Sequence, residues 1–141
     1  MISPHEHREL ARWAAQCAER ALPAFEAAHP DDPRPRAAIA AARAWANGAI
    51  TVQAAREIAF LAHAAARESN GPAAADAAAR AAGHAAATAH LPTHAPHAAD
   101  YAARAAADPA DERCWQRSAI EAELLAAVSR QSQRELDRQT A

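Results

Sequence analysis

Apolar positions recur along this chain at intervals of three and four, the period of an α-helix with one buried face. Leu10, Trp13, Cys17 and Ala21 form the first such stripe. Ser3-Pro4-His5-Glu6 opens it as a helix start, with serine as N-cap, proline in the first turn and Glu6 completing a capping box. Pro23 should kink or end this helix, because it lacks a backbone donor and crowds the preceding turn, although Phe25 can carry it on to about Ala28. His29-Pro30-Asp31-Asp32-Pro33-Arg34-Pro35-Arg36 reads as a rigid connector. A second helix, capped by Asp32, then runs to about Asn47, with Gly48 as a left-handed stop. Thr51 caps a third, from Val52 to Glu68, whose seam is Ile58, Leu61, Ala62 and Ala65. The fourth, from about Pro72 to His90, is almost pure alanine. Pro92 interrupts before a fifth, from about His94 to Ala107, and Asp108-Pro109 starts a sixth that carries Trp115, Ile120, Leu124, Val128 and Leu136. From about Gln131 the sequence turns polar and is expected to fray.

The pattern predicts an all-α fold: one domain over residues 1–141, an irregular bundle of five to six helices, with residues 131–141 as a frayed tail. Composition sharpens this picture. Hydrophobic residues make up 51% of the chain but aromatics only 4%, so alanine supplies most of the apolar surface. Alanine is the strongest helix former, and β-branched residues, which sheets favour, are few. A helix with only methyl groups to bury must lie close to its neighbours, so the bundle should pack tightly through alanine.

Charge excludes some partners. A net charge of −2 offers no basic surface for nucleic acid. Arginines interrupt the alanine runs and no stretch of about 18 strongly apolar residues occurs, so no segment is expected to span a membrane, and the charged N-terminus does not read as a signal peptide; the cytoplasm is the expected compartment. The two cysteines lie too far apart in sequence to suggest a disulfide framework or a metal-ligand pair. Cys17 on the apolar stripe suits an inert core thiol, and Cys114 beside Trp115 is expected to be partly buried. No glycine-rich phosphate loop and no nucleophile motif occurs.

The eight histidines and the arginines carry what chemistry remains. His90, His94 and His97 follow at steps of four and three, and on an unbroken helix would share a face with Tyr101. Imidazoles one turn apart can grip a single divalent metal, although Pro92 and Pro96 interrupt the stretch. His63 stands one turn before Arg67, and His84 one turn after Arg80. The plainer reading is that these histidines fill polar gaps between close helices or face solvent. Arg34, Arg36 and Arg43 form a second group: a planar fork of donors suited to an anion or a partner's carboxylates, or else paired with Asp31, Asp32 or Glu26 to anchor the connector.

Several stretches together resemble a family of putative bacterial immunity proteins. They are Pro4-His5-Glu6-His7-Arg8 with Ala11-Arg12-Trp13-Ala14-Ala15 and Cys17-Ala18-Glu19-Arg20, then Leu22-Pro23, Phe25-Glu26, Pro30-Asp31-Asp32 and Arg34-Pro35-Arg36-Ala37. Arg43-Ala44-Trp45-Ala46 and Ala62-His63-Ala64-Ala65-Ala66-Arg67 continue the likeness. Its most distinctive block runs from Ala81-Ala82-Gly83-His84 to Ala89-His90, followed by His94-Ala95 and Tyr101-Ala102. The resemblance implies a protein that binds a cognate toxin and covers its active surface. Polar residues distributed inside several helices suggest a different use. In that reading His63, His84 and the arginines line one cavity for a metal or small molecule, as in an enzyme of secondary metabolism, with histidine as acid or base near neutral pH. A third reading is a helical homodimer closed through alanine seams.

Overall fold

The computed structural model describes residues 1–141 as seven helices and no strand: α1 (Pro4–Ala28), α2 (Arg34–Ala46), α3 (Val52–Glu68), α4 (Ala73–Ala87), α5 (His94–Ala105), α6 (Pro109–Ser118) and α7 (Ala122–Thr140). The all-α expectation holds, and the expected five to six helices become seven. The extra one arises because the sixth predicted helix divides at Ala119-Ile120-Glu121. There Ser118 Oγ donates to the Trp115 carbonyl at 2.6 Å and the Ala119 N–H closes a short turn onto Gln116, after which Glu121 is extended. No proline or glycine marks this break. It re-aims the chain so that Leu124 and Val128 reach the core.

The capping box of α1 forms as the sequence implies, with Glu6 N–H donating to Ser3 Oγ at 3.1 Å and Ser3 N–H to Glu6 Oε1 at 2.9 Å. The helix continues through Pro23, which lies on its exposed side, to Ala28. Thr51 Oγ1 caps α3 through the Ala54 N–H, and Gly48 takes the left-handed conformation, φ 76°, that ends the second helical segment. In the connector, Asp32 accepts from the N–H of Arg34, while Pro33 occupies the N-cap position.

Helix α4 is the centre of the bundle and touches α1, α2, α3 and α5. Nine of its residues, all alanine apart from Gly83, are buried. A helix clad only in methyl groups presents a narrow cylinder that four neighbours can approach closely. Larger side chains come from outside it: Leu10, Trp13, Leu22 and Phe25 of α1, Ile39 of α2, and Leu124 and Val128 of α7. Helices α1, α5 and α6 are tied by a polar chain in which Trp13 Nε1 donates to the Gln116 carbonyl at 2.9 Å and Gln116 Nε2 donates to the Ala99 carbonyl at 2.7 Å. Arg20 adds a two-pronged bond to buried Glu112, at 2.7 and 2.9 Å, and lies 3.9 Å over the ring of Trp115. The α7 helix persists to Thr140, with most of residues 131–141 exposed.

Candidate functional site

On α4 the burial leaves one strip uncovered. Asp76, Arg80 and His84, four residues apart, emerge half-buried between α3 on one side and α5 on the other. Into this strip α3 contributes His63, and α5 contributes His94, His97 and Tyr101.

His84 is the hub. Its ring centre lies 4.9 Å from that of His63, 5.2 Å from His94, 5.4 Å from His97 and 5.4 Å from Tyr101, whose ring is nearly parallel at 8°. His84 Nδ1 and His94 Nδ1 are 3.0 Å apart, so one nitrogen donates its hydrogen and the other accepts. The two rings therefore carry their protons on different nitrogens. His94 and His97 have centres 6.3 Å apart, and the guanidinium of Arg104 lies 4.7 Å over the Tyr101 ring.

Gly83 makes the close approach of α3 possible. A Cβ built there would stand 2.6 Å from Cε1 and 2.7 Å from Nε2 of His63, so the imidazole lies where any other residue would place a methyl group. Glycine inside a helix costs about 1 kcal/mol relative to alanine. In a run otherwise made of alanine, this position was a signal of close contact.

Burial keeps these imidazoles uncharged. His84 is pushed down to about 3, first by loss of water and then by His63, His94, His97 and Arg80. His94 falls to about 4, again chiefly through burial, with His97, His90 and His63 adding to the shift and Glu135 opposing it. His63 is lowered by burial, Arg80 and Arg67. At neutral pH all three are neutral and keep an available lone pair.

Of the residues proposed from sequence, His63, His84, His94, His97 and Tyr101 meet in one place. His90 does not join them. It is exposed in the turn between α4 and α5, because α4 ends at Ala87 instead of continuing to His90, and the helical register with His94 and His97 is lost there. No three His, Cys, Asp or Glu side chains are placed to hold a metal ion. Arg67 lies exposed on α3, near enough to bear on His63.

The arginines of α2 face elsewhere. Arg34 pairs with Asp32 at 2.7 Å and Glu68 at 2.6 Å, Arg36 with Glu26 at 2.6 Å, and Arg43 with Glu19. Each guanidinium thus ties α2 to a neighbouring segment. A surface cleft of about 540 Å³ is lined by Glu9, Arg12, Trp13 and Gln16 of α1 and by the α6–α7 joint, away from the imidazoles.

Sequence reading missed two features. Phe60 and Leu61 remain outside on α3, 61% and 52% exposed, although Leu61 was expected in the seam. The helical period shows why: the buried positions Ala55, Ala59, Ala62 and Ala66 set the inner face, and Leu61 falls off it. Cys114, expected to be partly buried, is exposed, while Cys17 is buried as expected.

No helix is long and apolar enough to cross a membrane. No curated protein and no solved structure matches the chain. A family model does match, over residues 1–133, nearly the whole length and every helix that builds the imidazole strip, and the chain belongs to the family it describes, the Imm-5 like putative immunity protein family.

Proposed function

We propose that this protein binds a partner protein, a cognate toxin, and neutralises it by covering its active surface. The outward face of α3 is the contact we assign. Family membership supports a protein partner, and one observation directs the reading to α3: Phe60 and Leu61 are adjacent, large, apolar and more than half exposed, whereas the other exposed large apolar residues, Met1, Val52, Leu91 and Leu136, stand singly along the chain. Folding alone gives no reason to leave them outside. Interfaces draw most of their affinity from a few large anchors ringed by polar groups that exclude water. Here the anchors are flanked on the same helix by Arg56, Glu57 and Arg67 and bordered by His63. A partner with an apolar pocket rimmed by acidic groups fits this face. Neutralisation by coverage needs no reacting group on the inhibitor.

The test is co-expression with the toxin encoded beside the gene. The wild-type chain should restore growth and bind the toxin one to one. Phe60→Ala and Leu61→Ala should each weaken binding by about tenfold or more, as truncated anchors do, with the fold intact by circular dichroism. Full protection and unchanged affinity in the double variant would remove α3 from the interface. Failure of the wild-type chain to bind or protect would overturn the reading itself.

A further inference from the structure

Apart from His63 at its edge, the imidazole strip lies outside the α3 contact assigned above, and its internal bonding sets it apart from the other histidines. His7 Nε2 donates to the Thr88 carbonyl at 2.5 Å, and His29 Nε2 bonds Ser69 Oγ at 2.9 Å; both have ordinary structural partners. His63, His84, His94 and His97 have none. Their only hydrogen bond is the one between His84 Nδ1 and His94 Nδ1. Four imidazoles are gathered with no carbonyl, hydroxyl or carboxylate to receive their protons.

We propose that His84 and His94 grip a divalent transition ion of the imidazole-preferring class, Zn²⁺, Ni²⁺ or Cu²⁺, with His97 turning in as third ligand.

Two imidazoles on one tetrahedral ion, with metal–nitrogen bonds of about 2.1 Å, hold their ligating nitrogens about 3.4 Å apart and their ring centres about 5 Å apart. The His84 and His94 nitrogens are 3.0 Å apart and their ring centres 5.2 Å. His97 stands 5.4 Å from His84 by ring centres and 6.3 Å from His94, so its side chain supplies the remaining adjustment. An ion would replace the shared hydrogen: the donor ring shifts its proton to its own Nε2 by exchange with solvent, so both neutral rings ligate through Nδ1 with no net release of a proton. The set is imidazole without thiolate, and imidazole suits zinc, nickel and copper.

The surroundings fit a cation. Asp76 Oδ1 lies 3.2 Å from Arg80 Nε, and Asp100 pairs with Arg104 at 2.7 Å and with Arg113 at 3.0 Å, so the guanidinium groups nearest on α4 and α5 each have a carboxylate partner. Tyr101 stacked on His84 fixes that ring's plane. Burial keeps both rings uncharged at neutral pH.

The experiment is zinc titration of chelator-treated protein lacking any histidine tag, followed by calorimetry and by ¹⁵N spectra of the histidine rings. The expected result is one ion per chain, with the ring signals of His84, His94 and His97 shifted and those of His29 unmoved. His84→Gln and His94→Gln should each weaken binding by at least about tenfold. His5→Gln should change nothing, which controls for the exposed His5–Glu9 pair on α1. The ring spectra of the wild-type chain decide the matter even if a variant folds poorly. No binding, or shifts confined to other histidines, would overturn the proposal. None of these readouts needs a toxin, so this proposal and the α3 interface can fail separately.

Discussion

The imidazole of His63 lies in the space that a side chain at position 83 would occupy, with Cε1 only 2.6 Å from where a Cβ would stand. Gly83 and His63 are therefore one unit, a gap in α4 and the ring from α3 that fills it. Two effects compete in Gly83→Ala. Helix propensity favours alanine by about 1 kcal/mol. Forcing an extra methyl into filled space costs about 1–3 kcal/mol. The expected outcome is a net loss of stability in the wild-type background. With His63→Ala the space opens, and Gly83→Ala should then stabilise by about 1 kcal/mol. Urea unfolding of the four proteins gives the coupling directly, and a coupling near zero would show that the ring moves aside without cost.

Acid should unfold the metal-free protein earlier than its carboxylates alone require. His84 and His94 are held to about 3 and about 4 in the folded chain, against an ordinary value near 6.5. Between those limits the unfolded chain binds more protons than the folded one, so stability rises with pH and is lost as pH falls from about 6.5 toward 4. The groups facing these rings are mainly His63, His97, His90 and Arg80, with Glu135 the one opposing charge, so little else absorbs the added positive charge. Allowing for partial exposure, the loss attributable to His84 is on the order of 2 kcal/mol. His84→Gln should flatten the stability curve between pH 6.5 and 4 when unfolding is followed by circular dichroism. An unchanged slope would mean that the rings protonate without disturbing the fold.

The helices were legible in sequence because their signals are local. Ser3, Thr51 and Gly48 mark ends through bonds or backbone angles that involve only near neighbours. The α6–α7 break was not, because it is made by Ser118 and Ala119 closing onto their own turn, with no residue that forbids helix. The candidate site was half legible. His94, His97 and Tyr101 share α5 and so share a face by periodicity alone. Their meeting with His84 depends on the turn at 88–93, and the seating of His63 depends on the distance between α3 and α4. Both are settled by tertiary packing. The same turn removes His90, which an unbroken helix would have included. The pattern places Leu61 in the inner seam and does not single out Phe60, because Ala59, Ala62, Ala64, Ala65 and Ala66 lie around them, and a face of alanines does not declare which side is inward.

The two cysteines should differ sharply in reactivity, and the difference reports on the core. Cys17 is fully buried on α1, and burial, reinforced by the charge of Glu112, pushes its thiol up to about 12. Cys114 is exposed on α6. Alkylation proceeds through the thiolate, so at pH 8 Cys17 is protected both by its closed surroundings and by its protonation. A thiol reagent should therefore modify one cysteine per native chain at once, and peptide mapping should place it at Cys114. Modification of Cys17 should wait for unfolding, and its rate would then measure how often the contact of α1 with α6 opens. Glu112→Gln removes the charge that Arg20 grips at 2.7 and 2.9 Å. It should loosen α6 and speed labelling of Cys17 by roughly tenfold, consistent with the loss of a charge-assisted bond of about 1.5 kcal/mol. Rapid labelling of Cys17 in the native wild-type chain would contradict the packing of α1 at its centre.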